Sequence, residues 1–188
     1  MNDKFLEKDR YDDRAESLIA GEDYQSVTKI PLYFQPPIKF YESLFDKIPP
    51  RSKVLEIGAG VGENTQFLLE RGFEVYATDI SPKSVKFLKD RFSNQSLFTA
   101  EVADMESLPF SDNSFDLVCS AGSLSYGDNH IVMNQIYRVL NKGGAFIAID
   151  SLNENPIYKF NRYLHFLKGN RSKSTLKRMP TIKLIESY

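Results

Sequence analysis

The stretch VLEIGAGVGENTQFLLE, residues 54–70, constrains this chain more than any other. A strand-like apolar run carries the acid Glu56, three glycines follow at alternate positions, and an amphipathic helical pattern begins at once. Glycine admits positive φ and lets backbone pass close to a ligand, and a helix N-terminus offers that ligand unpaired N–H groups. The segment predicts a strand–turn–helix unit whose turn cradles a ligand.

The same alternation continues along the chain. KVLEI, FEVYATD, LFTAEVA, FDLVCS and AFIAID are short runs rich in Val, Ile and Phe, and helical patterns lie between them at about 63–71, 82–92 and 128–140. Ser81 followed by Pro82 reads as an N-cap with proline at the first helical position. The glycines of NKGGA read as the stop of the helix IVMNQIYRVL. Alternating strands and helices imply right-handed βαβ units, hence an α/β fold: a Rossmann-like, doubly wound, mainly parallel sheet with helices on both faces.

Residues 1–50 form a lead-in: a polar, helical start, then a Pro- and aromatic-rich stretch in which Pro31, Pro36 and Pro37 break regular structure, then the amphipathic IKFYESLFDKI. Residues 51–150 form the ligand-binding core. Residues 151–188 form a basic, aromatic, helical tail: NPIYKFNRYLHFLKGN as one helix, a basic connection, and TIKLIESY as a short last helix.

With 188 residues the chain suits one domain, and its net charge of −1 shows no global sign of a nucleic-acid partner, so no DNA is expected. Charge is nonetheless uneven: the first two dozen residues lean acidic, whereas residues 159–183 carry many Lys and Arg and no Asp or Glu. The lone Cys119 excludes an internal disulfide and a multi-cysteine metal site, and no metal is expected; in FDLVCS it reads as a small core residue. The polar N-terminus and the absence of a long apolar run point to a cytoplasmic protein without stable membrane insertion.

The glycine turn alone leaves open a nucleoside triphosphate, a dinucleotide or S-adenosylmethionine. A phosphate-binding P-loop ends in Gly-Lys-Ser/Thr, which Gly62-Glu63-Asn64 does not match. In the dinucleotide pattern G-x-G-x-x-G the third glycine comes one residue later than Gly62, and Glu56 and Glu63 would repel a pyrophosphate. Asp79 closes the second strand, where a carboxylate accepts ribose hydroxyls. Asp104 and Met105 follow the third, an acid for an adenine amine beside an apolar neighbour for the ring. The small, polar SAGSL, beginning at Ser120, follows the fourth. An acidic lining at the carboxyl edge suits a ligand bearing sulfonium and ammonium and no phosphate.

This set resembles the class I S-adenosylmethionine-dependent methyltransferases, in particular the small-molecule, "methyltransferase type 11"-like group with E-x-G-x-G-x-G. The likeness covers roughly residues 40–150 through VLEIGAGVGENT, ATDIS, ADMESLPF with FDLV, and RVLNKGGAFIAID. It implies S-adenosylmethionine as cofactor and S-adenosylhomocysteine as product. By that resemblance the backbone of Gly58, Gly60 and Gly62 holds the methionine end, and Glu56 orders the turn or faces the ammonium. Asp79 binds ribose, Ile80 lies along adenine, and Asp104 with Met105 fixes its amine edge.

The expected reaction is methyl transfer to a small-molecule acceptor, anionic or sugar-linked, by in-line displacement. Tyr126 and Asp128, in SLSYGDNH, are the candidates facing the acceptor, and Tyr11, Tyr33 and Phe34 the candidates for a lid over the cofactor. Asp128 also reads as an acid at a helix N-terminus, His130 as a solvated first-turn residue and His165 as a structural helix residue. Two competing readings are a nicotinamide-dependent oxidoreductase and a non-catalytic, S-adenosylmethionine-binding regulatory protein. Family members usually finish the sheet with two further strands, and nothing after Asp150 reads as such a pair. Five strands are therefore expected, with AFIAID at an exposed edge: either the chain is a truncated form, or the basic helices or a homodimer partner cover that edge.

Overall fold

The computed structural model describes residues 3–21, 35–152, 154, 156–167 and 173–187. Its centre is a five-stranded parallel sheet in the order β3-β2-β1-β4-β5, built from β1 (Lys53–Ile57), β2 (Glu74–Asp79), β3 (Phe98–Val102), β4 (Phe115–Ala121) and β5 (Leu140–Ile149). The chain runs outward from β1 to β3, then returns to place β4 on the other side of β1, with Val54 opposite both Val75 and Leu117. That reversal opens a crevice at the carboxyl ends of the strands beside β1, the place where open α/β sheets bind ligands.

Period-two alternation sends successive side chains of β1 to opposite faces. Val54, Val75, Leu117, Cys119 and Ile147 share one core cluster with Tyr41, Phe45 and Leu68, from α2 (Gln35–Leu44), the 3-10 turn after it and α3 (Glu63–Glu70). Ala77 and Ala100 on that face pack on Val85, Leu88 and Phe92 of α4 (Pro82–Arg91) and its end. Leu55, Ile57 and Val118 face the other way, onto Val132, Ile136 and Val139 of α5 (Asn129–Val139). Both faces are covered, which is why the strands read as nearly continuous apolar runs.

The ends of the helices follow local chemistry, with two corrections. Ser81 caps α4, its side chain accepting from the Ser84 amide, and Pro82 opens the helix, as expected. Pro36 and Pro37, expected to break structure, instead lie in the first turn of α2, where the missing N–H has no intrahelical partner to lose. Gly143 and Gly144 do not stop α5, which ends at Val139; they lie within β5. There the pairing shifts register between Phe115 and Leu117, and a Cβ on Gly144 would approach the Asn141 and Asp116 carbonyl oxygens within 2.9 and 3.0 Å. The glycines thus serve a bulge.

Before the sheet runs α1 (Asp3–Ile19), which buries Ala15 and Leu18 against Val61 and Phe87. After it come α6 (Pro156–Leu167), α7 (Lys173–Lys177) and α8 (Ile182–Ile185). No described strand pairs with the outer side of β5, although α2 packs on its face. Among the described residues no helix is long and apolar enough to cross a membrane.

Candidate active site

The turn after β1 carries the site. Gly58, Gly60 and Gly62 all have positive φ, 69°, 58° and 89°. A Cβ on Gly58 would lie 2.4 Å from Ser123 Cβ, so this position brings the β1 turn against the segment after β4. Gly62 answers a different need: its Cβ would strike Leu88 and Phe92 at 2.7 and 2.8 Å. It lets α3 start against α4 and lines neither of the two cavities of the site.

Two carboxylates hold the turn, and a third shapes the loop after β3. Glu56 is buried behind it and accepts from Thr65 Oγ1 at 2.6 Å and Asn64 Nδ2 at 3.0 Å, tying the strand to the start of α3. Burial pushes its carboxyl up to about 7, against the opposing effect of those two donors. Asp79, also buried, accepts from the Gly60 amide at 2.8 Å and the Ser81 amide at 2.9 Å, and burial likewise raises it. Asp104 accepts the Glu106 amide at 2.9 Å, turning the chain after β3 toward the crevice.

Two adjoining cavities open there. The first, about 570 Å³, is walled by Thr78, Asp79 and Ile80 from the end of β2, Ala103, Asp104 and Met105 after β3, and Ser123 and Tyr126 after β4. The second, about 710 Å³, is walled by Glu56, Gly60, Glu63, Asn64 and Ala121, with Arg14 from α1. Gly58 and Tyr11 line both, so the two form one elongated site.

Tyr11 arrives there because α1 crosses the crevice. Asp12 accepts from the Ser81 hydroxyl and, at 3.3 Å, from the Lys83 amide, while Arg14 pairs with Glu63 at 2.7 Å. Burial would raise the Asp12 carboxyl, but the hydrogen bonds from Ser81, Lys8 and Lys83 together hold it below its ordinary value. The Tyr11 ring meets Tyr126 edge-on at 6.0 Å, and Arg10 donates to the Tyr126 hydroxyl at 3.0 Å. Burial of its hydroxyl pushes Tyr11 above the usual phenol range, so it stays protonated.

The structure thus brings together Glu56, Gly58, Gly60, Asp79, Ile80, Asp104, Met105, Tyr11 and Tyr126. Ser120 is displaced from the expected set: it lies fully buried, sharing a 2.6 Å hydrogen bond with Ser123, and Ser123 is the one at the cavity wall. Asp128 is also displaced. Its carboxylate caps α5, accepting from the His130 and Ile131 amides at 3.0 and 3.3 Å, and it lines neither cavity. His130 and His165 are exposed. Tyr33 and Phe34 lie outside the described residues. Thr78, Ser123, Arg10 and Arg14 were missed; Thr78 stood inside ATDIS and Ser123 inside SAGSL, whereas nothing local marked the arginines.

These residues fit S-adenosylmethionine on chemistry. The first cavity offers an aliphatic and thioether wall with acids for hydroxyls and an amine, and the second offers glycine backbone beside Glu56 and Glu63 for an amino-acid end. Among the described residues the one cation on either wall, Arg14, is paired with Glu63, so a pyrophosphate would meet net negative charge there.

The comparisons agree. The family model described as a methyltransferase domain matches residues 55–148. The methyltransferase YodH of Bacillus subtilis, itself described as uncharacterized, is 32% identical over 109 residues, covering 57% of this chain and 47% of YodH. The ubiquinone/menaquinone biosynthesis C-methyltransferase UbiE of Neisseria meningitidis is 33% identical over 117 residues, covering 57% of this chain and 44% of UbiE. This chain spans about half the length of such relatives. The structure of geranyl diphosphate C-methyltransferase from Streptomyces coelicolor, in complex with geranyl diphosphate and S-adenosylhomocysteine, shares the fold. Its TM-score is 0.60 at 17% identity, over 77% of this chain and 57% of that one. The nicotinamide reading is not favoured. The chain belongs to the methyltransferase domain family, the class I fold whose cofactor is S-adenosylmethionine.

Proposed function

We propose that this chain transfers a methyl group from S-adenosylmethionine to a small-molecule acceptor. The observation that carries the reading is the single elongated site, two cavities joined at Gly58 and Tyr11, with sugar- and amine-accepting acids in one and glycine backbone with Glu56 in the other. Asp79 and Asp104 would hold the ribose and adenine amine, Ile80 and Met105 the ring faces, and the Gly58 and Gly60 backbone with Glu56 the amino-acid end. When bound, the cofactor supplies a methyl carbon already activated by positive sulfur.

The residues then have to align an acceptor and exclude water. Tyr11 closes the site from above, and Tyr126, fixed by Arg10, stands at the wall where an acceptor would be oriented. A general base is needed only for a hydroxyl or protonated amine, and Asp128 is spent on capping α5. An anionic or sugar-linked acceptor is the finer reading, supported by the acid-free basic tract at 159–183, which Arg162 ties to Ser125 beside Tyr126 at 2.9 Å. A homodimer joined along the outer side of β5 is the partner reading that the unpaired edge supports.

Calorimetric titration with S-adenosylhomocysteine, NAD and ATP tests the cofactor, and labelled methyl transfer into an acceptor panel tests the reaction. Binding of S-adenosylhomocysteine alone, with label in at least one acceptor, is expected. Binding of NAD alone would overturn the proposal, and binding without transfer to any acceptor would favour a regulatory role.

A further inference from the structure

Helix α6 turns its apolar stripe outward. Phe160, Tyr163, Leu164 and Leu167 recur at i, i+3, i+4 and i+7, the spacing that gathers side chains on one helix face and normally packs that face inward. Here all four are exposed, Phe160 by 62% and Leu167 by 61%. The opposite face points in. Arg162 is buried, donates to Ser125 Oγ at 2.9 Å and lies 3.7 Å from the buried Asp150 carboxylate. A buried arginine therefore pins the helix with its apolar side out.

Charge selects what covers that side. The whole chain carries 25 acids against 24 Lys and Arg, yet residues 159–183 hold bases and no acid. Lys159 of α6 and Lys177 of α7, the helix packed against α6, are exposed. A second copy on this face would set bases against bases, which like charge disfavours. An anionic lipid surface satisfies both features: aromatic and aliphatic side chains enter the headgroup boundary while lysines meet lipid phosphates. With 12 residues α6 is too short to span a bilayer, so it would lie in the interface plane.

We propose that α6, with its neighbouring lysines, is a docking surface for an anionic lipid bilayer. Its anchors join it to the site. Ser125 belongs to the turn that carries Tyr126, and Asp150 accepts the Leu124 amide of the same turn at 2.9 Å. Docking would bring the rim of the first cavity close to the bilayer surface. The proposal does not depend on which acceptor is methylated.

Co-sedimentation of the full chain with vesicles tests it, using phosphatidylcholine alone and phosphatidylcholine with about one-third phosphatidylglycerol. Binding to the anionic vesicles only, released by salt, is expected. Lys159→Gln and Lys177→Gln together should weaken it about 25-fold, about fivefold for each lysine. Phe160→Ser with Leu167→Ser should abolish it while melting temperature and S-adenosylhomocysteine binding stay unchanged. Equal binding to both vesicles, binding to neither, or indifference to the serine pair would overturn the proposal. So would a concentration-dependent dimer, without lipid, that the serine pair dissolves, since the face would then join two copies.

Discussion

Glu56 and Gly58 show how single positions govern this site. Burial pushes the Glu56 carboxyl up from an ordinary 4.5 to about 7, so between those values the folded chain holds the extra proton. Stability therefore falls as pH rises through that window, by on the order of 3 kcal/mol in total. Thermal melts of the ligand-free protein should show this slope, and Glu56→Gln should flatten it. Affinity for S-adenosylhomocysteine should move the other way, rising through about pH 7 in calorimetric titrations, because the ionised carboxylate is the form that faces an ammonium. Gly58→Ala combines a positive φ with a Cβ 2.4 Å from Ser123 Cβ, and should destabilise the protein by about 3 kcal/mol in urea unfolding. Gly58 was legible because the demand for positive φ is local. Ser120 and Ser123 could not be told apart, since both are small polar residues of one segment and only packing against the Ile57 carbonyl and Gly58 brings the second to the wall.

At the scale of elements, α1 is the piece that completes the site from outside the sheet. It packs on Val61 and Phe87 through Ala15 and Leu18, and Asp12 latches it to the N-terminus of α4. Asp12→Ala removes those hydrogen bonds and should loosen α1 with little effect on the sheet. Hydrogen exchange should rise in α1 while β1 and β4 stay protected, and S-adenosylhomocysteine affinity should fall about tenfold. The helical period of α1 was readable in its sequence. Tyr11 was already a candidate for a lid, but the latch that holds α1 there was not legible, because Asp12 and Ser81 are 69 residues apart and nothing local in either marks the other. The corrected positions of Pro36, Gly143 and Gly144 have the same origin: a proline is compatible with a break or a first turn, a glycine with a cap or a bulge, and the neighbouring elements choose.

At the scale of the whole molecule, the tail is held to the domain by a polar anchor. Arg162→Ala would remove the cation 3.7 Å from the Asp150 carboxylate and the donor that Ser125 Oγ accepts. It should cost about 3 kcal/mol and lower the melting temperature, with proteolysis opening first in α6. Arg162→Lys should recover little of this, since an ammonium cannot span Ser125 and Asp150 with the fork of a guanidinium. The parallel sheet, its five strands and the helices on both faces followed from the βαβ rhythm and the handedness of its crossovers, whereas the order β3-β2-β1-β4-β5, with α5 opposite α3 and α4, was decided by the tertiary structure.

By itself the sequence determined the parallel sheet, the glycine turn and the two acids at the ends of β2 and β3. Each depends on hydrophobic period, backbone conformation or a position at a strand's end, and these are carried by neighbouring residues. Only the tertiary structure decided that Asp128 caps a helix, that Ser123 and not Ser120 lines the site, that Asp12 latches α1 to the start of α4, and that α6 turns its apolar face outward. Those outcomes rest on contacts such as Arg10 with Tyr126 and Arg162 with Ser125, which join residues far apart in the chain. The physical reason is that a carboxylate, hydroxyl or guanidinium takes its role from the partner that folding brings to it.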